Sequence, residues 1–189
     1  MIDMYKLITR FNINTGVILH VGGHLGQESE NYKMFNKIIY IEPIPEYAQL
    51  LREQGHEVHE IAAWYCDDIL NFHITDFDQA SSVFLPLEHK FSKNKPIKVK
   101  AQPLCNIINN DVEIMVIDAQ GSELNVLIGS NLTQFKVVIC ETSRRIRYAG
   151  APSKKQIISY MKGHDFKIYK TITHSEDKII EDVIFYKND

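Results

Sequence analysis

Apolar residues recur along the chain in short β-branched runs, separated by stretches with helical spacing. Val17-Ile18-Leu19-His20-Val21, Lys37 to Glu42 (KIIYIE), Val112 to Asp118 (VEIMVID) and Phe135 to Glu141 (FKVVICE) are nearly continuous apolar runs. Runs of that kind predict strands buried on both faces. Glu57 to Trp64 predicts a further strand. Helices are predicted over Gln27 to Phe35, from Pro45 to about Gln54, over Ser122 to Ile128 and over Ser153 to Lys162. Pro45 suits a first helical turn, Gly55 and Gly129 suit helix ends, and Ser153 suits an N-cap.

The alternation breaks between Asp67 and Ala101, where two strand-like runs, Ile69 to Thr75 and Ile97 to Ala101, flank a polar loop. A hairpin-like β insertion into one domain, covering residues 1–189, is the reading of this stretch. Phe166 to Thr173 and Asp182 to Lys187 close the chain as two β runs with a short polar link. A link that short forces an antiparallel pair, because parallel neighbours need a long crossover. The expected fold class is therefore α/β and Rossmann-like, with a mostly parallel central sheet finished by a C-terminal antiparallel pair. That outline is similar to the class I methyltransferase fold.

Composition narrows the class. At 189 residues, 44% of them hydrophobic, the chain can bury a core without disulfides. A net charge of −3 argues against nucleic acid as the main partner, since phosphate binding needs a strongly basic surface. The lysines between Lys90 and Lys100 read as a solvated loop. Cys66, Cys105 and Cys140 are widely spaced and form no Cys-x-x-Cys pair, so they are expected to be reduced and mostly buried thiols of a cytoplasmic protein. The first ten residues lack the apolar run of a signal peptide, and no stretch approaches a membrane span.

The most informative local pattern is V-G-G-H-L-G, Val21 to Gly26, placed between a strand and a predicted helix. Glycine there permits a tight turn and close approach of a ligand to the main chain. Glu42 ends the next strand 20 residues after Gly22. An acid so placed accepts hydrogen bonds from ribose hydroxyls, as in dinucleotide sites. The glycines are one residue tighter than G-x-G-x-x-G and enclose His24, which suits a methionine tail better than a pyrophosphate.

Three segments together resemble the FkbM methyltransferases: H-V-G-G-H-L-G-Q-E from His20, Y-I-E-P-I-P from Tyr40, and I-D-A-Q-G-S-E-L-N-V-L-I-G from Ile117. The Ser81-Ser82 pair and E-T-S-R-R-I-R-Y-A-G from Glu141 extend the likeness, which runs from about Val17 to about Gly150. The resemblance implies methyl transfer from S-adenosylmethionine to an oxygen, often on a sugar or polyketide. It implies that Gly22, Gly23 and Gly26 wrap the methionine part, that Glu42 holds the ribose and that Ala62 and Ala63 lie near the adenine. Many relatives carry Asp where this chain has His20, next to the cofactor's amino end.

Sites in open α/β sheets lie beyond the carboxyl ends of the strands, where His24, Asp118 and Glu141 are expected. Asp118 is the leading catalytic or orienting carboxylate and also a cofactor contact; its rival reading is a cap for the helix near Ser122. Glu141 could shape the acceptor pocket, and His24 could act as a base because imidazole titrates near neutrality. No obligatory metal is expected. Ser81, Ser82, Arg144 and Tyr148 are the candidates for gripping a small-molecule or glycan acceptor. A nicotinamide-dependent oxidoreductase and a catalytically idle cofactor-binding module remain as alternatives.

Overall fold

In the computed structural model, which describes residues 2–87, 96–109, 111–174 and 179–187, the apolar runs form the middle of a seven-stranded sheet. Its strands are β1 (Val17–Val21), β2 (Lys37–Ile41), β3 (Glu57–His59), β7 (Ile114–Ile117), β8 (Val137–Ser143), β9 (Lys167–Thr173) and β10 (Ile180–Tyr186). The order is β3-β2-β1-β7-β8-β10-β9. The first five are parallel; β10 runs antiparallel to both β8 and β9. The expected parallel sheet with an antiparallel finish is the observed one.

Period-two alternation sends successive side chains to opposite faces. Leu19, Ile39, Met115, Val138 and Val183 point to one face, under α3 (Glu123–Ile128) and α4 (Lys154–Gly163). Ile18, Ile38, Ile114, Val137 and Ile184 point to the other, under α1 (Met4–Arg10) and α2 (Pro45–Glu53). Each such side chain is worth about 1.5–3 kcal/mol of burial. Local signals fix the helix ends. Ser153 and Gln156 form a reciprocal capping box on α4, Pro45 opens α2, and Asp3 caps α1 by accepting the Lys6 N–H at 3.0 Å.

Three expectations need correction. Gln27 to Phe35 is not an α-helix: only Ser29–Tyr32 winds, as a single 3-10 turn. Ser29 returns its hydroxyl to the Gly26 carbonyl at 2.6 Å, a local bond that competes with helix extension, while Tyr32 and Phe35 are anchored in the core. The segment from Glu57 to Trp64 is two strands. After β3 the chain leaves the main sheet, and β4 (Ala62–Ala63) joins a second one of order β4-β6-β5, with β5 (Asp68–Phe72) and β6 (Ile97–Gln102) pairing antiparallel. Cys140 is buried and Cys66 half-buried, but Cys105 is exposed. Lys90, Lys93 and Lys95 of the lysine-rich loop lie outside the described residues. Among the described residues, no helix is long and apolar enough to cross a membrane.

Candidate active site

The sheet order places β1 between β2 and β7, so two crossovers leave in opposite directions and a crevice opens beyond the carboxyl ends of β1 and β7. The chain turns there through Gly22, at φ +89°; a Cβ on it would sit 1.9 Å from the Asp118 carbonyl oxygen. Glycine is required by both conformation and space. The turn is stitched to both neighbours. Gly22 N–H donates to the Ile41 carbonyl and Asp118 N–H to the Val21 carbonyl, each at 2.9 Å.

Glu42, one residue beyond β2, points its carboxylate at this turn. The backbone N–H of His24 donates to Oε2 and that of Ile44 to Oε1, both at 2.8 Å. The side chain is only 4% exposed. Burial pushes its carboxyl up to about 7, against the opposing pull of the Ile44 and His24 N–H groups. A cavity of about 400 Å³ opens between Glu42 and the turn, within the roughly 300–1,000 Å³ of small-molecule sites. Gly22, Gly23, Ala62 and Ala63 contribute to its wall, as do Tyr47 and Ile44. Gly26 is set back, packed against Leu51, Gln54 and Ser29.

The strand expected to end at Glu141 runs on to Ser143. Asp118, one residue beyond β7, and Glu141, within β8 two residues before its end, also face the cavity. Their bridge is Gln120, whose Nε2 donates to Asp118 Oδ1 at 2.6 Å and to Glu141 Oε1 at 3.1 Å. Burial raises the Asp118 carboxyl to about 6, although the Gln120 bond pulls it down. Burial, reinforced by the negative charge of Asp118, lifts Glu141 well above the usual carboxylate range. Glu123, the first residue of α3, is buried and accepts the Gly121 N–H at 2.8 Å; burial raises it to about 7. Among the described residues no group of three or more His, Cys, Asp or Glu is arranged to hold a metal ion.

The remaining predicted residues divide. His20 is buried on the cavity wall with Nδ1 3.1 Å from the Tyr32 hydroxyl; burial lowers its pKa and favours the neutral ring, against the pull of Glu28. His24 lines the cavity too, its ring against the Gln27 amide and edge-on to Tyr47. Ser81 reaches the cavity and accepts the Thr75 N–H at 3.2 Å. Ser82, Tyr148 and Arg144 do not line it. The Ser82 hydroxyl donates to the Gln120 carbonyl at 2.7 Å and accepts the Phe84 N–H. The Tyr148 hydroxyl donates to Gln120 Oε1 at 2.6 Å. Both secure the Gln120 turn. Arg144 swings away to pair, with Lys154, on the buried Glu181; Arg147 is the arginine at the cavity.

Sequence reading gave no role to Gln120, Glu28 or Asp182. Gln120 sits at φ +48°, unusual for a side-chain-bearing residue, and the Gln-Gly pair after a strand-ending acid was its available signal. Glu28 lies just past the glycine turn within the quoted motif, and its Oε2 accepts the Tyr32 hydroxyl at 2.7 Å. Asp182 is brought in only by strand pairing, opposite Glu141.

The Methyltransferase FkbM domain matches residues 20–168, a span containing Glu28, Glu42, Asp118, Gln120 and Glu141 but not Glu181 or Asp182. The structure resembles an FkbM methyltransferase from Methylobacillus flagellatus, with a TM-score of 0.62 and 17% identity over 89% of this chain and 43% of that one. The chain thus spans less than half the length of that protein. It also resembles a putative tRNA (m1A22) methyltransferase from Streptococcus pneumoniae in complex with S-adenosyl-L-methionine, with a TM-score of 0.54 and 13% identity over 100% of this chain and 74% of that one. A third likeness is to the magnesium protoporphyrin IX methyltransferase of Synechocystis with bound SAM, with a TM-score of 0.54 and 8% identity over 97% and 76%. No curated protein matches the chain. These likenesses establish the Rossmann-like class I methyltransferase fold.

Proposed function

The chain belongs to the Methyltransferase FkbM domain family, and from that premise we propose that it binds S-adenosylmethionine and methylates a hydroxyl of a small-molecule or glycan acceptor. The carrying observation is the Glu42 carboxylate, buried at the edge of the 400 Å³ cavity and aimed at the glycine turn. Its two oxygens each accept one backbone N–H and keep lone pairs for ribose hydroxyls. Ala62 and Ala63, with no bulk beyond Cβ, leave room for a flat base. The Gly22-Gly23 backbone is the surface for the methionine part. Neighbours of this fold bound to S-adenosylmethionine support the same assignment.

The winding after the turn favours this cofactor over a dinucleotide. A pyrophosphate needs the N-terminus of an α-helix, and here a four-residue 3-10 turn follows instead.

S-adenosylmethionine, when bound, supplies a methyl group already activated by the positive sulfonium. The protein's part is to align the acceptor and receive its proton. Asp118, raised by burial to about 6, borders the cavity. Gln120 fixes it and Glu141 in place. His24 is the second candidate for the proton, from the opposite rim.

Calorimetry with S-adenosylmethionine and, separately, reduced nicotinamide dinucleotide tests the reading. Binding of the first alone, weakened in Glu42→Gln, is expected. Binding of the dinucleotide alone, or of neither, overturns it. Methyl transfer from labelled cofactor to glycans and to RNA then distinguishes acceptors, RNA being the kind acted on by the tRNA methyltransferase neighbour.

A further inference from the structure

A second cavity, of about 550 Å³, lies behind the carboxylates of the first and shares Glu28, Asp118, Glu141 and Ile180 with it. Strand register explains its position. Asp118 continues the face of Val116 on β7, Glu141 that of Ile139 on β8, and Asp182 that of Ile184 on β10. Glu141 and Asp182 are direct cross-strand partners. Three neighbouring strands therefore aim three carboxylates at the α1 side of the sheet, and Glu28 adds a fourth from the 3-10 segment. Met4, Val116 and Ile139 form the apolar wall.

The lining has a definite polarity. Gln120 donates to Asp118 and Glu141, which also hydrogen-bond to each other; Tyr32 donates to Glu28, and His174 pairs with Asp182. A carboxylate oxygen pair has about four acceptor positions, so acceptor capacity far exceeds the donors available. Among the described residues, no lysine or arginine lines this cavity, and His174, held by Asp182, is its one basic side chain. An occupant must bring N–H and O–H donors, and positive charge is favoured over negative. A phosphate or carboxylate placed here meets the acceptor oxygens of four acidic side chains and, among the described residues, no lysine or arginine.

We propose that this second cavity is the acceptor chamber, and that the acceptor it takes is a hydroxylated amine, of the amino-sugar or amino-alcohol class. The proposal rests on the methyltransferase reading above, because the shared Asp118–Glu141 wall is where a hydroxyl from this chamber meets the first cavity. The apolar wall covers the carbon face of the occupant, and the carboxylates receive its ammonium and hydroxyl hydrogens.

The probes are D-glucosamine, D-glucose and D-glucose 6-phosphate, titrated calorimetrically into protein saturated with S-adenosylhomocysteine, so that the cofactor cavity is filled beforehand. Glucosamine is expected to bind about tenfold more tightly than glucose, the scale of one charge-assisted hydrogen bond, and glucose 6-phosphate not to bind. Asp182→Asn keeps the size of the side chain and is expected to abolish the preference for the amine. Asn31→Trp, at the cavity rim, is expected to block all sugars while binding of S-adenosylhomocysteine persists. Equal binding of glucose and glucosamine, preference for the phosphate, absence of all binding at millimolar sugar, or an Asp182→Asn protein with its preference intact overturns the proposal. Failure of S-adenosylhomocysteine itself to bind would instead overturn the cofactor reading. Circular dichroism melting of each variant separates a lost site from a lost fold.

Discussion

The backbone N–H of His24 donates to Glu42 at 2.8 Å, which locks the glycine turn after β1 to the carboxylate at the end of β2. His24 itself sits at positive φ, +46°. Glu42→Gln keeps the size of the side chain but can offer only one carbonyl oxygen to two N–H donors, and presents its own NH₂ to the other. A structural cost of about 1–3 kcal/mol is expected from the mismatched donor. S-adenosylmethionine affinity is expected to fall by tenfold or more. Chemical denaturation and calorimetry on the same preparation measure the two effects separately.

Proton linkage gives an independent check. Glu42 and Glu123 are held at about 7 and Asp118 at about 6, all by burial, whereas an unfolded chain titrates such groups near 4. Between these values the folded protein binds more protons than the unfolded one. Stability is therefore greatest at the lower end of that window and declines as pH rises from about 4.5 to about 7. Glu181 acts oppositely. Burial would raise it, but its bonds to Arg144 and Lys154 prevail and lower it, so its contribution is lost on acidification. Arrival of a cationic ligand beside Asp118 and Glu141 favours their ionised forms. Binding of S-adenosylmethionine near pH 6 is expected to release protons, seen as a dependence of the calorimetric heat on buffer ionisation enthalpy. Proton uptake would contradict this placement of the cation.

Gly22 and Gly55 make a matched pair. Their φ angles are +89° and +90°, yet a Cβ on Gly22 meets the Asp118 carbonyl oxygen at 1.9 Å while one on Gly55 meets nothing within 4 Å. Gly55→Ala bears only the left-handed backbone penalty, about 1–2 kcal/mol. Gly22→Ala bears that plus displacement of β7 from β1, and is expected to cost at least twice as much and to abolish cofactor binding. Equal melting temperatures for the two variants would show that the turn yields without moving Asp118.

The middle of the main sheet was legible because β1, β2, β7 and β8 are apolar on both faces, a pattern that survives without tertiary information. Glu42, Asp118 and Glu141 were legible because each ends the apolar run of such a strand, although β8 itself continues to Ser143. The 3-10 turn was not, since Gln27 to Phe35 carries helix-compatible residues and only the Ser29 bond to Gly26 and the short span to Lys37 decide against a helix. The division of Glu57 to Trp64 between two sheets was equally hidden, because a change of partner leaves no mark in the apolar pattern. Arg144 and Arg147 are alike in sequence. Only the buried Glu181, on β10, captures the first and leaves the second at the cavity.

Gln120 carries the last prediction. Its amide nitrogen bridges Asp118 and Glu141, its amide oxygen accepts the Tyr148 hydroxyl at 2.6 Å, and its backbone carbonyl accepts the Ser82 hydroxyl. Gln120→Ala removes the one donor shared by the two carboxylates and leaves the buried Tyr148 hydroxyl with the Ala80 carbonyl, 3.2 Å away. Asp118 then loses the Gln120 bond that pulls it down against burial, so its carboxyl is expected to rise further above 6. Methyl-transfer rates should shift their acidic limb to higher pH, with a loss of tenfold or more in kcat and little change in cofactor affinity. Tyr148→Phe alone removes only the hydroxyl and is expected to cost about 0.5–1.5 kcal/mol in stability. In the double variant the stability losses of the two single variants should fall short of additive, because both act through one hydrogen bond. Full additivity would mean that Tyr148 supports the turn by packing against Gly121 rather than by holding the Gln120 amide in register.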